Sequence, residues 1–309
     1  MKILVTGGAG FIGSHVVDTF IGAGHDVSVV DNLTTGAARW VNPRARLHVV
    51  DLRSAKLSRV FEAERPEVVV HLAAQASVGR SVTDPTFDAS VNLMGGLGLL
   101  DCCRRFGIRR IIYSSSGGAG YGDTDVVPTP ETHPTVPISP YGITKVAMEL
   151  YVAAWSGIFG ISTISLRYAN IYGPRQNPQG EAGVVAIFCH RLLTGQVPIV
   201  NGDGEQTRDY TYVEDVASAN LEALQRPEVT GAVNISTGRE TTVNALYASL
   251  VGAAGSTVKA EHGPARPGEQ RRSCLDPALA ARVLDWKPTV SLAEGLGRTF
   301  RFFEKETAR

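Results

Sequence analysis

The sequence predicts an α/β protein in which a doubly wound parallel sheet is joined to a smaller C-terminal α/β lobe. Its first half alternates short apolar strands with segments of helical periodicity. These strands are rich in Val and Ile without polar alternation, as expected where both faces are buried. The alternation stops after Leu166, and shorter elements follow. We expect residues 1–168 to form the first lobe, with a segment near 205–240 returning to it, and residues 169–309 to form most of the interleaved second lobe.

The composition is that of a globular protein and excludes some kinds of partner. Of its 309 residues, 43% are hydrophobic and 19% are charged, which is an ordinary balance. Thirty basic and thirty acidic residues cancel, so no general field favours nucleic acid or an anionic membrane. We expect neither as a partner.

The N-terminal run and the cysteines indicate a cytoplasmic protein. Four glycines within residues 7–13 interrupt the first apolar run, so it is neither a signal peptide nor a membrane span. The cysteines lack metal-ligand spacing and two are adjacent, which favours reduced thiols over disulfides and predicts no metal site. They are Cys102, Cys103, Cys189 and Cys274.

A glycine turn follows the first predicted strand, Lys2–Thr6. Gly7, Gly10 and Gly13 form a G-x-x-G-x-x-G pattern that opens a helix containing Phe11 and Ile12. Bare backbone at a helix N-terminus lets a pyrophosphate approach the amide groups. The alternative is a tight strand-to-helix turn that needs close packing.

The second predicted strand, residues 26–30, ends in Asp31, which is followed by Asn32. In a Rossmann-type unit, an acid at this place accepts from an adenosine ribose hydroxyl. Asp31 would also repel a 2′-phosphate. Together with the glycine turn, it predicts a site for NAD rather than NADP.

Two further strands, 47–50 and 67–71, end in small or polar residues. Asp51 and Leu52 follow the first, and His71 and Leu72-Ala73-Ala74 end the second. Ligands of open α/β sheets gather at such ends. Asp51 can accept from an adenine amino group or be a solvated loop residue. His71 is expected to be packed and hydrogen-bonded, without a catalytic role.

The strand predicted at 108–113 leads into Ser114, Ser115 and Ser116, followed by two glycines. Hydroxyls at the carboxyl edge of a sheet can donate to a reacting oxygen. The alternative is a serine-rich turn. Asn92 lies early in the preceding helical segment, which reaches about Phe106, and can bind a ligand or be structural.

The strongest chemical signal is the segment Ser139–Lys145, SPYGITK. Ser139 can cap a helix and Pro140 suits its first position. The four-residue spacing of Tyr141 and Lys145 then places a phenol and an ammonium on one face. We expect Lys145 to lower the pKa of Tyr141 and make it a general base.

The second lobe holds arginines suited to an anionic ligand. Arg208 and Arg266 are candidate clamps for a diphosphate, because a chain without net charge must meet a dianion with local guanidinium groups. Either arginine alone can instead be a surface salt-bridge partner.

Several motifs, in order along almost the whole chain, resemble the extended short-chain dehydrogenase/reductase superfamily and, within it, the UDP-glucose 4-epimerases. These motifs are TGGAGFIGSH, HLAA, SSS before YG, SPYGITK, LRYANIYGPRQ, GDGEQTRDYTYVEDV and RPGE. One departure concerns the active hydroxyl. Four residues separate Ser116 from Tyr121, whereas three are usual, so Ser116 is the first choice and Ser115 remains an alternative.

The resemblance implies a Rossmann lobe that holds NAD tightly and a C-terminal lobe that holds a UDP-sugar. Tyr141 would be the base, Lys145 would bind the nicotinamide ribose, and Ser116 or Ser115 would assist at the sugar hydroxyl. The expected NAD contacts are Gly7, Gly10, Phe11, Ile12, Gly13, Asp31, Asn32, Asp51, Leu52, Leu72, Ala73, Ala74, Asn92, Ser114, Tyr141, Lys145 and Tyr168. The expected substrate contacts are Ser116, Tyr141, Asn170, Arg208, Arg266, Glu269 and Ser273.

The implied reaction interconverts UDP-glucose and UDP-galactose through a 4-keto sugar. Other epimerases, dehydratases and decarboxylases share the scaffold, but dehydratases place an Asp-Glu pair where this chain has Gly117 and Gly118. An NAD-sensing protein without turnover would not need Tyr141 and Lys145.

Two finer expectations also come from the resemblance. A position seven residues after Arg266 borders the hexose, and Ser273 there would leave room for an N-acetyl group, unless the loop places Arg272 or Cys274 there instead. The helix beginning near Ala89 and the helix bearing Tyr141 are expected to pair with their copies in a homodimer.

Overall fold

The computed structural model describes residues 1–179, 183–265 and 270–308. In these ranges a seven-stranded sheet and three two-stranded sheets are present. The strands, in chain order, are β1 (Lys2–Thr6), β2 (Asp26–Asp31), β3 (Arg46–Val49), β4 (Val68–His71), β5 (Arg110–Ser116), β6 (Ser162–Tyr168), β7 (Asn170–Tyr172), β8 (Ile199–Asn201), β9 (Thr207–Arg208), β10 (Tyr210–Tyr212), β11 (Gly231–Ile235), β12 (Thr241–Thr242) and β13 (Glu261–Gly263).

Helices cover both faces of the large sheet and form most of the second lobe. They are α1 (Phe11–Gly22), α2 (Lys56–Glu64), α3 (Val78–Thr83), α4 (Pro85–Ala89), α5 (Gly95–Arg105), α6 (Gly117–Tyr121), α7 (Pro140–Phe159), α8 (Val184–Leu193), α9 (Val213–Gln225), α10 (Val243–Ala254), α11 (Ala278–Val283) and α12 (Leu292–Thr307). A 3₁₀ turn lies at Ala38–Trp40, and a π-helical turn at Ser90–Met94 joins α4 to α5.

The large sheet has the strand order β11-β6-β5-β4-β1-β2-β3, and its neighbouring strands are parallel. The chain leaves β1 toward β2 and later returns to β4 on the other side of β1. Such a reversal opens a crevice beyond the carboxyl ends of the strands, where ligands bind. The predicted doubly wound α/β fold is confirmed.

Two apolar layers enclose this sheet, and a third cluster fills the smaller lobe. One layer packs α1 and α9 on the sheet, and the other packs α2, α5 and α7 on its opposite face. The third cluster joins α8, α10 and α12 around Tyr172, Tyr212 and Phe188. Strand β11 pairs with β6, so the chain returns to the large sheet after β7 and β10 have paired with each other.

The structure corrects the predicted bounds of β5. The sequence placed this strand at 108–113 with the serines after it, but β5 runs from Arg110 to Ser116. Its ladder with β6 continues until Ser116 pairs with Tyr168. The three serines therefore belong to a strand rather than to a turn.

Within the described ranges, no helix is long and apolar enough to cross a membrane. All four cysteines are buried free thiols. The same part of the chain holds no group of three or more His, Cys, Asp or Glu side chains arranged to bind a metal.

Candidate active site

Helix α7 brings Tyr141 and Lys145 to the carboxyl edge of the sheet, as its sequence predicts. Ser139 caps the helix, because its Oγ accepts from the Gly142 amide at 3.1 Å, and Pro140 is the first helical residue. Both catalytic candidates lie on one face of the helix, and the side chain of Lys145 is buried between the helix and the sheet.

Lys145 is held by the strand that precedes α6. Its Nζ donates to the carbonyl oxygen of Ser114 at 2.6 Å and lies 5.0 Å from the centroid of the Tyr113 ring. Burial lowers the pKa of Lys145 to about 8, although the buried carboxylate of Asp88 opposes this shift. The ammonium is thus fixed in place but poorly solvated.

Tyr141 shows the reverse effect of the same burial. Removal from water raises the pKa of Tyr141 to about 12, while a hydrogen bond with Ser116 acts to lower it. Lys145 Nζ is 6.0 Å from the centroid of the Tyr141 ring. Burial is the largest cause of this shift, so the pKa of Tyr141 lies above its ordinary value in the folded chain, whereas the sequence predicts a lowered one.

The two candidate serines occupy different surroundings. Ser116 bonds with Tyr141 and also caps α6, where its Oγ accepts from the Ala119 amide at 3.4 Å. Side chains alternate along a strand, so Ser115 shares a face with Tyr113, which packs in the layer beneath α7. The Ser115 hydroxyl is buried there without a hydrogen-bond partner.

The glycine turn after β1 has a geometry that larger residues cannot adopt. Gly7 has φ of +73°, and a Cβ on it would lie 2.7 Å from the Ala73 nitrogen. A Cβ on Gly13 would lie 2.0 Å from the carbonyl oxygen of Gly7. Gly10 begins α1 without a side-chain cap. The first amides of α1 are therefore available to an anion at the helix N-terminus.

Asp31 ends β2 beside this turn. Its Oδ2 accepts from the Ala9 amide at 3.0 Å and its Oδ1 from the Leu33 amide at 2.8 Å. Each carboxylate oxygen can accept a further hydrogen bond. The acid is thus held rigidly next to the phosphate-binding turn, where a ribose hydroxyl can reach it.

Asp51 is more heavily engaged than its sequence position indicates. Arg53 donates to both carboxylate oxygens, at 2.9 Å and 2.8 Å, and Asn32 donates to Oδ2 at 3.0 Å. Hydrogen bonds from Arg53 are the main reason that the pKa of Asp51 lies well below its usual range. An adenine amino group would therefore compete with Arg53 for this carboxylate.

Asn92 lies in a buried polar network that links the π-helical turn to α7. Its Oδ1 accepts from the Gln75 amide at 2.7 Å, and its Nδ2 donates to Asp88 at 3.0 Å. Asp88 also accepts from Thr144, the neighbour of Lys145, at 2.7 Å. These bonds favour the structural alternative for Asn92. Asp88 was not among the predicted site residues. It could have been found from its spacing, because a carboxylate four residues before Asn92 lies on the same face of a helix.

Tyr168 and His71 are both packed and hydrogen-bonded. The Tyr168 hydroxyl lies at the end of β6 and bonds with Asn220 of α9, whose Nδ2 donates to it at 2.8 Å. His71 Nδ1 is 2.8 Å from the Thr6 hydroxyl, and burial lowers the pKa of His71 to about 3. His71 is thus packed and hydrogen-bonded, as expected from the sequence.

Three of the predicted substrate residues meet near Asp209. The Asn170 amide donates to the Asp209 carbonyl oxygen at 2.9 Å, and the Asp209 amide donates to Ser273 at 3.0 Å. Arg208 precedes Asp209 and donates to the Thr207 carbonyl at 2.7 Å. The other two predicted residues, Arg266 and Glu269, lie outside the described residues.

Ser273 faces α6, whereas its neighbours do not. A Cβ on Gly118 would lie 3.0 Å from the Ser273 hydroxyl oxygen. Arg272 pairs with Glu240 at the surface, and the Cys274 thiol turns toward Asp209. Of the three positions considered from the sequence, Ser273 is the one whose hydroxyl lies close to Gly118 of α6.

These residues fit a bound NAD. The glycine turn leaves backbone amides open to the pyrophosphate, and the carboxylate of Asp31 can accept from an unphosphorylated ribose. Tyr141, Lys145 and Ser116 lie at the same edge of the sheet.

Comparisons with known proteins agree with this geometry. The profile of the NAD dependent epimerase/dehydratase family matches residues 3–236. A crystal structure of UDP-glucose 4-epimerase from Thermotoga maritima, with UDP-glucose, is 48% identical, covers 99% of this chain and 100% of its own, and superposes with a TM-score of 0.97.

Two further relatives are similar over their whole length. The UDP-glucose 4-epimerase of Thermus thermophilus, solved with NAD, is 43% identical with a TM-score of 0.93, over 98% of this chain and 99% of its own. The UDP-glucose 4-epimerase of Mycolicibacterium smegmatis is 42% identical over 99% of this chain and 100% of its own. The chain belongs to the NAD-dependent epimerase/dehydratase family.

Proposed function

We propose that the protein is an NAD-dependent UDP-hexose 4-epimerase that interconverts UDP-glucose and UDP-galactose. The observation that carries this proposal is the placement of Tyr141 on α7, with Ser116 beside it and Lys145 one helical turn away, at the carboxyl edge of the sheet that also holds the glycine turn. Relatives at 42–48% identity carry the same name over their full length.

The Rossmann residues would hold the cofactor. The amides at the start of α1 would bind the pyrophosphate, Asp31 would accept from the adenosine ribose, and Lys145 would bind the nicotinamide ribose. When bound, oxidised NAD supplies a hydride acceptor and a positive charge. A positive charge near Tyr141 favours the phenolate, which the protein alone disfavours.

Tyr141 and Ser116 would share the work at the sugar 4-hydroxyl. Tyr141 as phenolate would accept the hydroxyl proton while the C4 hydrogen leaves as hydride to the bound oxidised nicotinamide, and Ser116 would hold the same oxygen as it becomes a carbonyl. After the 4-keto sugar turns, the hydride would return to the other face of C4, and Tyr141 would return the proton. Ser116 is proposed for this role rather than Ser115, whose hydroxyl is buried without a hydrogen-bond partner.

The substrate would lie across the second lobe. Asn170, Arg208 and Arg266 are proposed to bind the UDP group together with Glu269, and Ser273 to border the hexose. On this assignment residues 1–168 and the later strand β11 form the NAD lobe, and most of residues 169–309 form the sugar-nucleotide lobe. The small side chain of Ser273 supports acceptance of N-acetylated hexoses as well.

A dehydratase reaction is disfavoured by the space around α6. A Cβ on Gly117 would lie 2.4 Å from Leu275, and one on Gly118 would meet Ser273 at 3.0 Å. An acidic pair at these positions would need Leu275 and the segment around it to move. Formation of a 4-keto-6-deoxy sugar from a nucleotide hexose would contradict this inference.

The assembly and the location are proposed from the exposed apolar surface and from the state of the cysteines. Helix α7 presents apolar side chains to solvent, and the turn that joins α4 to α5 exposes Met94 beside it. These faces are proposed to pair with their copies in a homodimer. Buried free thiols suit a cytoplasmic protein.

The direct test is to incubate the purified protein with UDP-glucose and to separate the products. We expect UDP-galactose to form until the two sugars reach equilibrium. The Tyr141→Phe variant should retain NAD and lose about 10²-fold or more in turnover, the scale for a positioned acid-base group. Equal loss of NAD binding and turnover would show a structural role for Tyr141, and NAD binding without turnover by the parent would indicate an NAD sensor.

A further inference from the structure

Asp209 joins the strands that carry the proposed substrate residues. It lies between β9 and β10 and directly follows Arg208. Its amide donates to the carbonyl oxygen of Ser273 at 3.0 Å, and its carbonyl oxygen accepts from the amide of Asn170 at 2.9 Å. The Asp209 backbone therefore fixes the positions of Asn170 and Ser273, which are distant in sequence, next to that of its neighbour Arg208.

The carboxylate of Asp209 accepts hydrogen bonds from uncharged donors of Thr237, Gly238 and Cys274. Its Oδ1 accepts from the Thr237 amide at 2.9 Å and the Thr237 hydroxyl at 2.6 Å, while its Oδ2 accepts from the Gly238 amide at 2.9 Å and the Cys274 thiol at 3.5 Å. The residue is only 1% exposed. Bonds to a buried carboxylate are strong, and its loss leaves buried donors without an acceptor. Asp209, Thr237, Gly238 and Cys274 are called the Asp209 cluster below.

The Asp209 cluster fixes the segment that faces α6. Cys274 is bound to Asp209 through its thiol, and the preceding residue, Ser273, through its carbonyl oxygen. The next carbonyl, of Leu275, accepts from Ser236 at 3.0 Å. Because a Cβ on Gly118 would already lie 3.0 Å from the Ser273 hydroxyl, a small shift of this segment changes the space beside α6.

We propose that Asp209 is a positioning residue for sugar selection, because it holds Ser273 opposite Gly118 and so sets the room beside the hexose. This inference rests on the function proposed above. The carboxylate points to the Thr237–Gly238 loop, so Asp209 acts through Ser273 and not by touching the sugar. Its backbone links to Asn170 and to Arg208 extend the same effect to the nucleotide end of the substrate.

The test compares Asp209→Asn and Thr237→Val with the conservative variant Thr237→Ser. Asparagine turns one oxygen of the carboxylate into a donor that faces other donors, and valine removes the hydroxyl bond while keeping the shape of threonine. Measured quantities are KM and kcat for UDP-glucose and for UDP-N-acetylglucosamine, and the Kd for NAD.

We expect Asp209→Asn to lower kcat/KM by about tenfold, mainly through KM, the effect of leaving a buried donor unpaired. Thr237→Val should change kcat/KM in the same sense. Both should change the ratio of kcat/KM between the two sugars by about threefold or more, with NAD affinity retained. Thr237→Ser should behave as the parent.

Two results would overturn the inference. One is an unchanged sugar ratio and KM in both Asp209→Asn and Thr237→Val. The other is a parallel loss of NAD affinity and of activity on both sugars, which indicates a general structural role. If Asp209→Asn does not fold, Thr237→Val decides between these outcomes. A parent protein that is inert on both sugars would instead refute the proposed function itself.

Discussion

At the scale of single residues, one physical effect acts in opposite directions on the two central side chains. Burial disfavours charge, so it raises the pKa of Tyr141 to about 12 and lowers that of Lys145 to about 8. The protein alone therefore keeps the phenol protonated near neutral pH. Under the proposed mechanism, proton abstraction by Tyr141 would therefore need a further positive charge, which oxidised NAD would supply.

The size of the Ser273 side chain leads to a prediction about sugar selection. Ser273→Tyr should retain activity on UDP-glucose and lose about tenfold or more on UDP-N-acetylglucosamine, because a phenol fills the space beside Gly118 and overlap is not relieved by other contacts. Product formation from each sugar measures this. Replacement of the neighbouring surface residue, Arg272→Lys, is the matched control. Equal turnover of the N-acetylated sugar by parent and variant would refute the gatekeeper role.

Buried His71 predicts a loss of stability in acid. Its pKa is lowered from 6.5 to about 3 by burial, so between these values the unfolded chain binds a proton that the folded chain does not. The free energy of unfolding is thus fully retained above about pH 6.5 and falls as pH decreases, by up to about 1.4 kcal/mol per pH unit. Urea unfolding at about pH 7 and about pH 5 measures the change.

His71→Gln should make this fall between the two pH values smaller, whatever its effect at neutral pH. His262→Gln, at an exposed position, should leave the fall as in the parent. An equal pH dependence in His71→Gln and the parent would show that other groups cause the acid sensitivity.

At the scale of elements, the start of α7 matters because it carries the catalytic candidates. The Ser139 cap satisfies the Gly142 amide, one residue from Tyr141. Ser139→Ala should lower the free energy of unfolding by about 1 kcal/mol, the usual cost of a lost N-cap. Chemical denaturation measures this loss.

A matched cap lies far from the site. Ser291 caps α12 by accepting from the Glu294 amide at 3.3 Å. Ser291→Ala should cost a similar free energy of unfolding but leave kcat unchanged, whereas Ser139→Ala should also lower kcat because the first turn of α7 holds Tyr141. Identical kinetics in the two variants would show that the cap does not position Tyr141.

At the scale of the whole molecule, the outer face of α7 exposes apolar side chains that no other part of the described chain covers. Ile143, Leu150 and Tyr151 recur at helical spacing, but they are exposed, and Leu150 is 67% exposed. The buried face of the same helix contains Thr144, Lys145 and other residues around Met148. Contiguous exposed apolar surface of this kind marks an interface in proteins that stay dispersed in water.

Leu150→Glu should therefore convert a homodimer to a monomer. A charge placed in an apolar interface loses its hydration without gaining a partner. Light scattering at micromolar concentration measures the change in mass. Val258→Glu, at an exposed apolar position on the second lobe, is the control and should leave the mass unchanged. A parent protein that is already a monomer would refute the proposed dimer.

The order of elements and the main chemical groups could be read from the sequence because they are local features. The helix predicted to start at Pro140 and the strand predicted at Lys2–Thr6 have those starts in the structure. Periodicity, caps and glycine spacing involve residues within a few positions of one another. The glycine turn, Asp31 and the Tyr141–Lys145 pair were predicted on this basis, and the family comparison confirms the fold and the use of NAD.

What only the tertiary structure decided depends on contacts between distant residues. The sequence leaves both Ser115 and Ser116 open, whereas the structure distinguishes their surroundings: Ser116 lies beside Tyr141, and the Ser115 hydroxyl is buried without a hydrogen-bond partner. Nor could the sequence show that desolvation governs the pKa of Tyr141, since burial depends on the layers packed around α7. The bond between Asp209 and Cys274 spans 65 positions. Such contacts form only when folding brings the two segments together, and no local pattern encodes them.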